Sequence, residues 1–160
     1  LRDSRVQHVT VVEIEQAVAS WLRDGTVPHG PALFDDPRLL VTVADLRDFL
    51  AAVPPAEYDL ILLDVDNGPD SLVFETNAAL YEHRFLSLTQ AALRPGGRLV
   101  IWSAAPSRRL AGRLRTVFGN VAERSYEVDL QGRGEHYWMY HSDRSTHTAT
   151  TGPFRSMFGP

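Results

Sequence analysis

Asp64 and Asp66 stand where an unbroken apolar run, residues 60–63, gives way to Asp64-Val65-Asp66-Asn67-Gly68-Pro69. Unbroken rather than alternating apolarity reads as a strand buried on both faces, as in a parallel sheet. Carboxylates at the carboxyl end of such a strand sit where open α/β sheets take their ligands. A carboxylate there can take up a proton or hold a cation. Two other strand-like runs also end in acids: residues 8–14 in Glu13 and Glu15, and Leu39–Val43 in Asp45. In a parallel sheet all three ends lie on one edge, and a carboxylate can accept two hydrogen bonds from a diol. The competing reading is that Asp64, Asp66 and Asn67 only form a turn.

The elements that must position these acids alternate. After the first strand, Ala17, Val18, Trp21 and Leu22 share a helical face, which Asp24-Gly25 ends. Residues 26–37 hold three prolines and read as a loop, and Leu46, Phe49 and Leu50 form a short helical face closed by Pro54-Pro55. The spacing predicts one long helix over 76–93, with Leu80, Leu88 and Ala92 facing in and Pro95-Gly96-Gly97 as a turn. A fourth strand spans 99–102. A helix from Pro106 turns Leu110, Leu114 and Val117 inward, and Gly119-Asn120 ends it. Residues 121–130 and 135–141 read as a hairpin around Gln131-Gly132-Arg133-Gly134. The fold class is therefore α/β with a mostly parallel sheet and a C-terminal antiparallel hairpin, in one domain over 1–145. Residues 146–160 read as a mobile tail, with Phe154 and Phe158 able to dock on a neighbour.

Composition narrows the chemistry. The chain has no cysteine and no lysine; all 16 basic residues are arginine. That excludes thiolate chemistry, a Walker A loop and a Schiff-base lysine within these residues. A net charge of −4 argues against nonspecific nucleic-acid binding. No apolar run approaches the roughly 18 residues of a membrane span, and no signal peptide is evident, so a cytoplasmic location and no membrane partner are expected. His136 and His141 lack a third ligand, so no metal is expected. Arg108, Arg109, Arg113 and Arg115 read as a solvated helix face.

A resemblance adds to this. Val11-Val12-Glu13-Ile14-Glu15, Asp36-Pro37-Arg38, Ala44-Asp45, Phe49-Leu50, the run from Tyr58 to Asp64, Leu80-Tyr81, Phe85-Leu86 and Leu93-Arg94-Pro95-Gly96-Gly97 resemble spermidine synthase and its relatives. That family shares the Rossmann-like fold of class I S-adenosylmethionine-dependent methyltransferases. The likeness covers residues 6–141. It implies a transferase that moves an aminopropyl group from decarboxylated S-adenosylmethionine, as co-substrate, to a small amine such as putrescine. It further implies that Glu13, with Ile14, binds the donor's ribose, and that Asp45 faces the adenine amine with the Leu46 backbone beside it. Asp64 would be the catalytic base, and Asp66 and Tyr81 would line the amine side. Family members commonly form dimers, so a homodimer is implied.

The chain departs from the family in two places. The family's glycine-rich loop and first central strand are absent from these residues and are expected to precede Leu1. After the catalytic strand the family reads Asp-Ser-Ser-Asp-Pro, whereas this chain reads Asp64-Val65-Asp66-Asn67-Gly68-Pro69. Two alternatives stay open: a methyltransferase using S-adenosylmethionine itself, and a non-catalytic binding domain that keeps the fold.

Overall fold

A computed structural model describes residues 1–146. It resolves two compact units that meet in sequence between Val53 and Pro54. The expected tail, with Phe154 and Phe158, lies outside the described residues apart from its first position.

The first unit runs β1 (Val9–Glu13), α1 (Gln16–Asp24), α2 (Gly30–Phe34), β2 (Leu39–Val43) and α3 (Leu46–Ala52). β1 and β2 pair in parallel, with Val9 opposite Leu39 and Glu13 opposite Val43. Gly25 closes α1 in the left-handed conformation at φ 86°, as Asp24-Gly25 predicts. α2 corrects the loop expected over 26–37. Proline is tolerated in the first turn of a helix, and Pro31 occupies that place. Arg38 anchors the start of β2: it is paired with Asp36 at 2.7 Å and donates to the carbonyls of Leu1 and Val6. Among the described apolar residues of this unit only Ala19 and Leu50 are buried.

The second unit comprises β3 (Tyr58–Leu63), a 3-10 helix (Glu75–Tyr81), α4 (His83–Ala92), β4 (Leu93–Ser103), α5 (Arg108–Phe118), β5 (Ala122–Leu130) and β6 (Arg133–Asp143). Its strand order is β3-β4-β6-β5, with β3 and β4 parallel and β6 antiparallel to both neighbours. Leu63, Leu99, Ile101 and Tyr140 come from its strands, and Leu86, Leu110 and Leu114 from α4 and α5; all are buried. Fully burying one such side chain contributes about 1.5–3 kcal/mol, so this unit holds most of the described core. The chain thus has the expected parallel strands and antiparallel hairpin, divided between a two-stranded and a four-stranded sheet, and no strand among the described residues joins the two.

Four expectations change in detail. The long helix over 76–93 breaks at Glu82, whose ψ is 158°. Arg113, from α5, holds the break by donating to the Tyr81 carbonyl and the Glu82 carboxylate. The break turns Phe85, Leu86, Thr89 and Ala92 to the core in place of Leu88. β3 is buried on one face only: Leu63 is buried, while Leu60 and Leu62 are 51% and 68% exposed. Pro95-Gly96-Gly97 lies within β4, where the pairing with β3 shifts register. A Cβ on Gly97 would come within 2.8 Å of the Arg94 carbonyl oxygen, so the bulge requires glycine there. The hairpin turn is Gln131-Gly132 alone, both at positive φ, the type I′ geometry that suits twisted strands. Among the described residues no helix is long and apolar enough to cross a membrane.

Candidate functional site

In the first unit the parallel pairing brings two of the expected acids to one edge. Glu13 ends β1 and accepts from the Glu15 N–H at 2.8 Å through its own carboxylate. The Glu13 carbonyl accepts from Ala44 N–H at 3.0 Å, which fixes the end of β2 alongside. Asp45 follows at once and caps α3: its carboxylate accepts from Arg47 N–H at 2.8 Å and pairs with the Arg47 guanidinium at 2.5 Å. Those bonds from Arg47 hold the Asp45 carboxyl below the usual range. Ile14 is 65% exposed, and Leu46 opens α3, where backbone N–H groups have no helical partner.

In the second unit Asp64 is exposed, one residue past the Leu63–Ile101 pair. Among the described residues its side chain has no hydrogen-bond or ion-pair partner. A carboxylate in that state keeps its full capacity to accept.

Asp66 differs in every respect. It adopts the left-handed conformation at φ 62°, which Asp tolerates better than most residues. Its carboxylate accepts from the N–H groups of Asn67 and Val73 at 2.7 Å each, from Phe74 N–H at 3.1 Å, and from the Asn77 side-chain amide at 2.9 Å. Burial alone would raise its pKa; the bonds from Val73, Asn77, Phe74 and Asn67 outweigh that and bring it down to about 2. Tyr81 is fully buried, and its hydroxyl donates to the Val65 carbonyl. Desolvation, then the charges of Asp66 and Asp64, push the phenol up to about 12, so it remains a donor. The amine contact expected of Asp66 and Tyr81 therefore meets two groups already engaged with the loop itself.

Other residues hold this loop against the end of β4, a role that sequence reasoning did not give them. Ala104 N–H donates to the Asn67 carbonyl at 3.1 Å. Gly68, at φ 94°, lies so close to Ser103 that a Cβ would sit 2.1 Å from its hydroxyl oxygen. Arg109, in the first turn of α5, donates to the Pro69 carbonyl at 2.6 Å and to Asp70 at 2.9 Å. Arg109 and Arg113 thus leave the solvated face expected of the α5 arginines. Only the Gly68-Pro69 dipeptide signals this geometry in the sequence, because the partners lie about 35–40 residues apart. His136 and His141 both lie on β6; an odd separation along a strand puts them on opposite faces, so they do not form one ligand pair.

A protein with a parallel α/β sheet and an unpartnered carboxylate at a strand end has relatives of known sequence. Residues 1–110 match the spermine/spermidine synthase domain, and the chain belongs to that family. It is 32% identical to the polyamine aminopropyltransferase of Mycobacterium tuberculosis over 108 residues, 66% of this chain and 20% of that protein. It is 31% identical to putrescine N-methyltransferase 4 of Nicotiana tabacum over 99 residues, 61% of this chain and 24% of that protein. The fold is that of spermidine synthase from Thermotoga maritima, with a TM-score of 0.71 at 16% identity over 91% of this chain and 48% of that one. The chain thus spans a fifth to a quarter of the two curated relatives named.

Proposed function

We propose that the protein transfers an aminopropyl group from decarboxylated S-adenosylmethionine to a small amine such as putrescine. The observation that carries this reading is the exposed, unpartnered Asp64 at the end of β3 in a chain of the spermine/spermidine synthase family. The acceptor's primary amine attacks the methylene carbon next to the sulfonium. The C–N bond forms as the C–S bond breaks, and the bonding pair leaves on sulfur as the neutral thioether methylthioadenosine. An amine is protonated near neutral pH and must lose a proton to attack. Asp64 takes that role and orients the nitrogen. Holding the two reactants in line supplies several kcal/mol more. Glu13, with Ile14, holds the ribose diol, and Asp45 faces the adenine amine beside the Leu46 backbone. The reaction needs no metal. A homodimer is the proposed assembly, which light scattering would read.

The likeness to putrescine N-methyltransferase 4 favours a second reading, methyl transfer from S-adenosylmethionine to the same class of amine. Titration calorimetry on the intact protein with methylthioadenosine, S-adenosylmethionine and its decarboxylated form separates them. Preference for the decarboxylated donor supports aminopropyl transfer, and preference for the carboxylated one supports methyl transfer. Binding of none of the three overturns both.

A further inference from the structure

We propose that Asp66 is a positioning residue: with Asn77 and Tyr81 it sets the path of residues 65–74, and so the aim of Asp64, without touching the amine. Its role in the reaction rests on the transfer reading above; its role in the loop does not.

The geometry is that of a ring closed by one side chain. From a single carboxylate, bonds run to backbone N–H groups one, seven and eight residues on, and to the Asn77 amide eleven residues on. An ionised carboxylate has about four lone-pair sites, and four donors fill them. An ammonium could engage Asp66 only by displacing one of these donors, and a displaced loop N–H would cost its own hydrogen bond. The backbone enters the ring in a conformation most side chains disfavour, and the Tyr81 hydroxyl clamps the carbonyl of Val65, the residue between Asp64 and Asp66. Ala104 and Arg109 fasten the other side of the loop through the carbonyls of Asn67 and Pro69. Asp64 sits between β3, fixed by its ladder, and this closed ring. Its direction is therefore set by groups that do not touch the substrate. The ring also holds Val73 and Phe74 outward, 66% and 67% exposed, as a fixed apolar shoulder.

Two measurements on Asp66→Asn and Asn77→Ala test this in the intact protein. The first is amide hydrogen exchange at Val73 and Phe74. Loss of bonds to a charged acceptor should speed exchange there roughly 10- to 100-fold in Asp66→Asn. In Asn77→Ala, which leaves both of those backbone bonds in place, exchange should speed up less. The second is the transfer rate to a diamine, putrescine, and to a monoamine, n-butylamine. A positioning role lowers kcat by the same factor for both amines and leaves each KM near its starting value, and Asn77→Ala reproduces the pattern at smaller size. A fall confined to the diamine, appearing in KM, would mean that Asp66 holds the second ammonium and would overturn the proposal. Unchanged exchange at Val73 and Phe74 in Asp66→Asn would overturn it as well. If the parent protein transfers nothing to either amine, the proposed reaction fails, while the exchange experiment still decides the ring.

Discussion

The two units hold the acids at their strand ends in opposite ways. In the first, each carboxylate is held by the residue two places on: Glu13 by Glu15, Asp36 by Arg38, and Asp45 by Arg47. In the second, Asp66 is held by donors up to eleven residues away, and Asp64, two residues before it, by none among the described residues. A carboxylate satisfied by its own turn stays near the surface and can exchange one donor for another at little cost. One satisfied by a distant network becomes part of the frame. One left unsatisfied beside that frame is oriented and still able to accept a proton. In the transfer proposed above, the acids of the first unit bind, Asp66 frames the loop and Asp64 does the chemistry, and this difference is what the proposal rests on.

The sharpest way to break this division is Asp64→Asn. Loss of a positioned base should lower transfer by roughly 10²- to 10⁴-fold, with affinity for methylthioadenosine unchanged by calorimetry. Turnover within a few-fold of the parent would remove Asp64 from the reaction and dissolve the contrast with Asp66.

Two glycines test the frames themselves. In the first unit a Cβ on Gly30 would lie 1.9 Å from the Leu22 carbonyl oxygen, which α1 cannot move away. In the second a Cβ on Gly68 would meet Ser103, and the backbone there is left-handed. Gly30→Ala and Gly68→Ala should each lower stability in urea by about 1–3 kcal/mol. Gly68→Ala should also reduce transfer, because it pushes the loop off β4. Urea midpoints equal to the parent's would show that the loop and α1 give way freely, against the frame assigned to each.

Much of this contrast was legible in the residues, and what was not has a common cause. The ends of β1 and β2, the Gly25 stop and the acids beside them follow from periodicity and turn chemistry within a few residues. So does the Asp45 position, since a cap acts on the next turn of chain. The break at Glu82, the burial of Tyr81 and the engagement of Asp66 depend on Arg113, Val65 and Asn77, which lie 11 to 32 residues from their partners. No window of a few residues contains both halves of those contacts. The family pattern pointed to Asp64, yet it suggested an amine contact for Asp66, whose side chain is bonded within its own loop. The exposure of Leu60 and Leu62 was illegible for another reason: an apolar run states that a strand is suited to burial, not which face receives a helix.

A smaller effect is expected at Asp45. Asparagine caps a helix about as well as aspartate, and an exposed ion pair like that with Arg47 contributes about 0–1 kcal/mol. Asp45→Asn should therefore leave the urea midpoint nearly unchanged while reducing nucleoside affinity by about tenfold, the scale of one charge-assisted hydrogen bond. Unchanged affinity would leave Asp45 a cap and nothing more, and would confine ligand binding in this unit to Glu13.

Acid should separate the two kinds of carboxylate with the least disturbance. Asp36, held by Arg38, and Asp66, held by its loop, both have pKa values brought down to about 2. A folded-state pKa below the unfolded value, about 3.9 for aspartate, means that the folded state favours the ionised form. The stability each group contributes is then present above about pH 4 and is lost as pH falls toward 2. The whole-chain urea midpoint should fall in that window. Asp36→Asn should remove part of the fall while leaving exchange at Val73 and Phe74 as in the parent. Asp66→Asn should remove another part and release those two amides even at neutral pH. The Asp36 share is expected to be the smaller, because Arg38 also donates to the carbonyls of Val6 and Leu1 and keeps those partners without it, whereas Asp66 is tied to backbone N–H groups that have no other partner in the loop. An acid-induced fall identical in the parent and both variants would place the titrating groups elsewhere. It would also remove the distinction between a carboxylate held by its own turn and one held across the loop.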